Sequence, residues 1–498
     1  MVPEELASLF LSRTQLEKLF ILKQLETGIT SFSSLETKLK ISKRKIKENV
    51  MSLIKEINVS ATDQRFELSI DREIIQFKLK LKDNEYVELV NEFRERYLLE
   101  SSLYRVLLFV LEKRTFSVVT MANDLSYSES YAYKLFSKLK QFFQYTSYGI
   151  QLIKENDLFF KLDGDESSIR ILHYLAISVG SKGNRWLFTL ITQNEIMNAQ
   201  FYVESNRYKR LSPVGKNRVN SILAVYELAL KNKSYLTDLN EEVNELGNAI
   251  NREVEISLYL KYLKKEVVFN NTQLHEELIH LGFLTNYFAQ EVKTEDEKEI
   301  LGKRIRLLGN NSIVKTCVYI LKLINKRYEL TEKSNNILLY SLCNRFVVIH
   351  YLGMYRFMPL YKVPPLLGDR ERFVEECIGS SLTDYKYEVS CEKVKYSFTQ
   401  IIIGYLNLEF PLGQNIYVEF FYRPEYKSII ENAIKHNYNQ KVLQITNNYL
   451  EADIVISDTH GYDKKKFFYF RDVFDQDSWE KLGLYLNQVI RDKILELN

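Results

Sequence analysis

The strongest constraint on this fold lies in residues 116–143, FSVVTMANDLSYSESYAYKLFSKLKQFF. Val118, Val119, Met121, Ala122 and Leu125 are apolar at helical spacing, and Asn123, Asp124 and Ser126 form a polar exit. Ser128 is placed to cap a second helix by accepting backbone N–H bonds. In that second helix Ala132, Leu135, Phe136, Leu139, Phe142 and Phe143 recur every three or four residues, a single packing stripe. Two short helices so closely joined must fold back on one another, and residues off the stripe must face outward.

Ser130, Tyr131, Tyr133, Lys134, Lys138 and Lys140 lie largely off that stripe. Serine and tyrosine near a helix N-terminus reach base edges or phosphates, and lysines further along suit phosphates. This is the layout of a helix-turn-helix. The bland alternative is a helical hairpin with a solvated basic face. The segment that follows, YGIQLIKENDLFFKLDG (148–164), favours the first reading. Its apolar runs GIQLI and LFFKL flank the polar turn Lys154–Asp157, which predicts a β-hairpin and hence a winged variant of the motif.

The same grammar recurs upstream. Helices are expected over Thr14–Leu25, over Phe32–Leu39 and from Ser42, the last with an apolar stripe of Ile46, Val50, Leu53, Ile54 and Ile57. Lys40, Lys43, Arg44, Lys45 and Lys47 fall at the start of that third helix with no acid among them. A charge run is usually a solvated face, but this position favours phosphate contact. RFELSID and EIIQFKLKL then read as a second hairpin. Whole-chain charge does not discriminate: Lys plus Arg number 68 against 65 acids, a net charge of +3. DNA affinity must therefore come from local patches and be salt-dependent. Acids concentrate between Glu85 and Glu100, a connecting helix expected to face away from phosphates.

Most of the 498 residues are something attached to this head. Glycine and proline are scarce, 17 and 7, so long helices go uninterrupted. Helices are expected over Glu166–Val179, Pro213–Lys231, Thr272–Val292, Ser312–Lys326 and Thr331–Tyr355, with breaks at Phe269–Asn271 and Gly309–Ser312. These form two bundles. After a break at Pro364–Pro365, strands at NIYVEFFY, KVLQIT, ADIVISDT and FFYFRDV alternate with helices from Pro424 and over Gln476–Leu497. A small α/β domain with a parallel sheet is expected. The fold class is thus mainly α and multidomain, with boundaries at 1–82, 83–164, 165–268, 269–392 and 393–498.

No apolar run approaches the ~18–20 residues of a membrane span. The opening MVPEELASLF does not read as a signal peptide. Cys317, Cys343, Cys377 and Cys391 have no metal-binding spacing and read as reduced thiols, so a cytoplasmic protein is expected. No glycine-rich phosphate loop, catalytic triad or metal cluster is visible, and no enzymatic activity or cofactor is expected. Acidic pairs such as Glu375–Glu376 look solvated.

This order of parts resembles the Mga/RofA/AtxA-like transcription regulators of Gram-positive bacteria, closest to the RofA-like branch. LSYSESYAYKLFSKLKQFF is the most specific element, similar to the second helix-turn-helix of RofA-like proteins. The resemblance implies that the first two domains are winged helix-turn-helix units and the bundles phosphotransferase regulatory domains (PRDs). It implies a C-terminal domain similar to the B domain of sugar permeases. It further implies promoter DNA and RNA polymerase as partners, a homodimer through the PRD-like and C-terminal domains, and activation of virulence, adhesion or surface-protein genes. A phosphotransferase-system phosphocarrier protein would phosphorylate PRD histidines; the candidates are His173 in ILHYLAI and His350 in FVVIHYLGM. A permease B domain carries a cysteine after its first strand, where this chain has YRPEYKS. That favours a structural or dimerising role for the last domain. The alternatives are a PRD-type RNA-binding antiterminator, which begins with a β-rich domain instead of helices, and a non-enzymatic helical scaffold.

Overall fold

The computed structural model describes residues 6, 8–26, 28–60, 66–79, 83–181, 185–198, 206–236, 239–250, 271–361, 368–382, 391–410, 413–420, 423–459 and 466–494. Pro364–Pro365, the first two residues of the Phe269–Asn271 break and His460 lie outside them. The chain forms two compact units. The first comprises Met1–Glu297, Asn344–Lys362 and Tyr387–Lys393; the second comprises Lys298–Cys343, Val363–Lys386 and Val394–Asn498.

The first unit opens with the same structural sentence written twice. The first copy is α1 (Arg13–Gln24), β1 (Ile29–Ser31), α2 (Phe32–Leu39), α3 (Lys43–Ser60), β2 (Leu68–Asp71) and β3 (Ile74–Phe77). After the connecting helix α4 (Asp83–Glu100), the second copy is α5 (Ser102–Lys113), β4 (Thr115–Phe116), α6 (Val118–Leu125), α7 (Glu129–Tyr145), β5 (Ile150–Lys154) and β6 (Phe160–Gly164). The repetition extends to the caps. Ser12 and Ser101 cap the first helices, and Ser31 and Ser117 the second. Lys40 and Ser126 end the second helices in the left-handed region, two residues before the third-helix caps Ser42 and Ser128. Each hairpin gains a third strand that the sequence does not announce: β1 pairs with β3 and β4 with β6, all antiparallel. Strands of two or three residues are too short for alternation to register.

Helix α4 joins the copies through its buried face. Tyr86 Oη donates to Leu22 O at 2.6 Å, and Tyr97 Oη donates to Glu56 Oε2 at 2.5 Å. Burial raises the Glu56 carboxyl, but hydrogen bonds from Lys18, Tyr97 and Ser52 outweigh it and hold the group below its ordinary value.

The described elements that follow in the first unit are helices: α8 (Glu166–Ser181), α9 (Gln193–Asn198), α10 (Asn206–Arg210), α11 (Pro213–Lys231), α12 (Glu241–Ile250) and α13 (Asn271–Phe288). Helix α8 packs on α11, α5 and α4. It follows the second wing after a single residue and is buried along nearly its whole length. An ionic chain runs through it. Arg114 Nη2 donates to Glu166 Oε1 at 3.1 Å, Arg170 Nε to the same oxygen at 2.9 Å, and Arg170 Nη2 to Glu277 Oε1 at 2.9 Å. Arg170 and Glu277 are fully buried. Their remaining capacity is met by Ser234 O at 2.8 Å and Leu236 N at 2.9 Å.

The second unit begins with α14 (Glu295–Arg306), which straddles the boundary between units, and α15 (Ser312–Asn325). Thr331–Tyr355, expected as one helix, is three pieces, of which everything from Asn344 on belongs to the first unit: α16 (Glu332–Phe346), a π-turn over Val347–Tyr351 and a 3₁₀ segment over Met354–Leu360. Gly353, at φ +81°, makes the break, and an added Cβ would lie 2.8 Å from Ser168 Oγ. Thr272–Val292 likewise ends as helix at Phe288, followed by a 3₁₀ turn over Gln290–Val292. After α17 (Asp369–Ser381) and α18 (Cys391–Glu409) come β7 (Gln414–Glu419), α19 (Tyr426–Asn437), β8 (Leu443–Ile445), β9 (Ile454–Ser457), β10 (Lys466–Tyr469) and α20 (Gln476–Ile494). The sheet is parallel in the order β10-β9-β7-β8, as the alternating pattern predicts.

Replacing Arg170 with Met strands the Glu277 carboxylate in the interior and leaves the half-buried Glu166 with Arg114 as its remaining cation. The expected loss is about 3–5 kcal/mol, read as a lower urea midpoint, with Arg170→Met/Glu277→Leu recovering most of it. Equal midpoints for the single and double variants would mean that the pair is not desolvated as described.

Candidate nucleic-acid interface

Helix α7 is held by its inner face. Ala132, Leu135, Phe136, Leu139 and Phe143 are buried, and Phe142 is half-buried. Phe136 packs on Phe116 and Phe160 of the wing sheet, with centroids 6.2 and 4.4 Å away. The turn before it closes as a Schellman motif: Tyr127 N donates to Ala122 O at 2.8 Å and Ser126 N to Asn123 O at 3.2 Å. Ser128 Oγ accepts from Tyr131 N at 3.4 Å, capping the helix. Arg105, which sequence reading passed over, braces this turn: its guanidinium lies 5.3 Å from the Tyr127 ring and donates to Leu125 O at 3.5 Å.

The outer face carries every residue predicted there. Ser130, Tyr131, Tyr133, Lys134, Lys138 and Lys140 are all exposed, Tyr133 at 52% and Tyr131 at 40%. At 100° per residue, Ser130, Lys134, Ser137 and Gln141 form the row opposite the buried stripe, with Lys138 beside it on one flank and Tyr133 on the other. Lys140 shares the flank of Tyr133. Ser137 and Gln141 were missed because neither is charged or aromatic; projecting the helix from its apolar stripe finds them. Lys134, Lys138 and Lys140 form no ion pair among the described residues, so their charge is available to an anionic partner. On the adjoining wing Gln151 and Lys161 are exposed, while Lys154 is tied to Asp157 at 2.9 Å.

The first copy is more neutral than its sequence indicates. Lys43 pairs with Glu73 of the hairpin and Arg44 with Glu48 at 3.2 Å, so acids distant or one turn away offset the cluster. Lys45 is half-buried and Lys47 exposed, and neither forms an ion pair among the described residues. The second copy is therefore the stronger candidate for a polyanion.

The two candidate histidines are placed differently. His173 is completely buried, and neither ring nitrogen has a partner among the described residues. Burial, then the nearby Arg114 charge, pushes it well below its ordinary value, so it is neutral and no phosphate donor reaches it in this fold. His350 is half-buried, and burial lowers it too. His280, not among the candidates, is fully buried: its Nε2 lies 2.6 Å from Ser167 Oγ, and Tyr226 Oη reaches its Nδ1. Ser167 Oγ donates to Leu352 O at 2.8 Å, so the consistent tautomer carries the proton on Nε2 and accepts from Tyr226. Burial and Arg170 hold His280 neutral as well.

Residues 86–176 match the Mga helix-turn-helix domain family. The matched segment runs from the connecting helix through both helices of the motif and the wing into α8. It supports a DNA-binding transcription regulator. No curated protein matches the chain.

Lys134→Ala with Lys138→Ala is expected to weaken binding to random duplex DNA and to reduce the slope of log K against log salt by about two. Fluorescence anisotropy across a salt series measures this, and an unchanged slope in the folded variant would remove α7 from the interface. A second expectation concerns acid. For His173 and His280 the folded value lies below the unfolded value of about 6.5, so the unfolded chain takes up protons first and stability falls as pH drops below that point. The slope is up to about 1.4 kcal/mol per pH unit for each histidine. His173→Leu should flatten it in urea titrations between pH 7 and 5, and an unaltered slope would show that His173 protonates freely in the fold.

Proposed function

We propose that this chain is a sequence-specific regulator of transcription that reads double-stranded promoter DNA with α7 and supports it with the wing β5–β6. The observation that carries the reading is the exposed set Lys134, Lys138 and Lys140, without ion pairs among the described residues, on a capped, core-anchored helix inside the segment that matches the Mga helix-turn-helix domain. A major groove admits a helix of this kind, with Ser130, Lys134, Ser137 and Gln141 toward base edges and the flanking lysines toward phosphates. The first copy adds a weaker backbone contact through Lys45 and Lys47.

The finer reading follows the family resemblance. The chain acts as a homodimer through its PRD-like and C-terminal domains, recruits RNA polymerase and activates virulence, adhesion or surface-protein genes from the cytoplasm. The expected domain division at 82, 164, 268 and 392 belongs to the same proposal. For control by a phosphocarrier protein, His275 on α13 is the accessible acceptor in the helical region, being exposed where His173 is enclosed. Among the described residues no single helix is long and apolar enough to cross a membrane.

Genome-wide crosslinking and DNA recovery, with wild type beside the Lys134/Lys138 double variant, tests the function. Discrete promoter peaks that vanish in the variant are the expected result. Peaks of equal strength with both proteins would place DNA reading elsewhere in the chain.

A further inference from the structure

Behind the wing, the first unit contains a cavity of about 370 Å³, at the small end of ligand-sized pockets. Its walls come from α8, α11, α13, the Gln290–Val292 turn, the end of α16 and the Met354–Leu360 segment and its following residue. Its polar lining is dominated by hydrogen-bond donors. Arg218 and Arg345 stand against one carboxylate, Glu291, which pairs with Arg218 at 2.8 Å. Tyr174, Tyr287 and Tyr361 line it as well. Arg345 is buried, with its guanidinium 5.2 Å from the Tyr287 ring, and Phe288 and Met358 supply apolar wall. Charged donors in a partly desolvated site bind anionic acceptors more strongly than neutral ones.

The segment that closes this cavity also holds the wing. Met358 and Tyr361 line the cavity, whereas Arg356 and Phe357 of the same short segment touch the wing base. Arg356 Nη1 donates to Asp165 Oδ2 at 2.9 Å and to Ser168 Oγ at 2.6 Å, just past the end of β6. Its guanidinium lies 3.3 Å from the position a Cβ on Gly149 would take, at φ +70°, immediately before β5. Phe357 packs on Tyr148 with centroids 4.7 Å apart.

We propose that this cavity is an effector site for a small anion, a carboxylate or phosphate monoester on a ring-sized body, and that its occupancy is transmitted through residues 354–361 to the wing. The regulatory meaning of that coupling rests on the DNA-reading function proposed above; the binding and the coupling do not. Both are measured on the full chain without DNA, by calorimetry and amide hydrogen exchange, with phenyl phosphate and benzoate as probes and benzyl alcohol as the neutral control. The expected result is saturable binding of at least one anion at one site per chain, with slowed exchange in residues 354–361 and in the hairpin 148–164. Arg345→Gln, and independently Ser178→Leu, which fills the cavity from a half-buried position, should each weaken binding by about tenfold or more. No saturable binding of either anion up to about 10 mM overturns the site. Binding unchanged by both variants overturns its location, and protection that stops short of the hairpin overturns the coupling. Failure of DNA binding in a separate assay would leave all three readouts standing.

Discussion

The arrangement of the first unit depends on one buried ionic chain, Arg114–Glu166–Arg170–Glu277. Its members come from four places: the junction of α5 and β4, two turns of α8, and α13. Charges removed from water are costly unless paired and hydrogen-bonded, so these elements are correct together or not at all. Burial pushes Arg114 below its ordinary value against the pull of Glu166, while Glu277 and Glu166 overcome burial at Arg170 and raise it. Such a chain adds little net stability over an apolar core of equal shape. It sets the register of α8 between the reading head and the helices behind it.

Function follows from that register. The head is anchored behind α7 by aromatic packing on the wing sheet, and the wing base is anchored in turn by Arg356 and Phe357. Glu112 on α5 adds a further tie, accepting from Thr189 N at 3.0 Å and Leu190 N at 3.0 Å. Rigid presentation matters for a reading helix because base discrimination needs hydrogen bonds of fixed geometry, whereas phosphate contact tolerates play. The outward lysines and the anchored inner face are therefore two halves of one device.

Much of this was legible in the sequence, and the legible parts share a cause. The helices of the head, their serine caps and the outward set on α7 are local, fixed by spacing and by side chains bonding their own turn. The parallel sheet was legible because alternating strands and helices leave few topologies. What the sequence concealed was non-local. The acids that neutralise Lys43 and brace Arg114 lie 30 and 52 residues away. Half-buried Glu166 and fully buried Glu277 and Arg170 look like solvated charges when read along the chain. His173 is a candidate acceptor only through the family resemblance; its apolar setting ILHYLAI already suits a packed residue, and the fold encloses it. The break at Gly353 was missed because apolar spacing continues across it, although that glycine is the one residue suited to the turn.

The most direct test of the central claim, that α7 enters a DNA groove, is site-specific photocrosslinking. A benzophenone amino acid at position 137, in the middle of the outward row, would be compared with one at exposed Leu484 on α20. The account predicts that position 137 crosslinks to duplex promoter DNA, that the yield falls with salt, and that position 484 does not crosslink. Equal labelling at both positions, or none at 137 while the protein is bound, would contradict it.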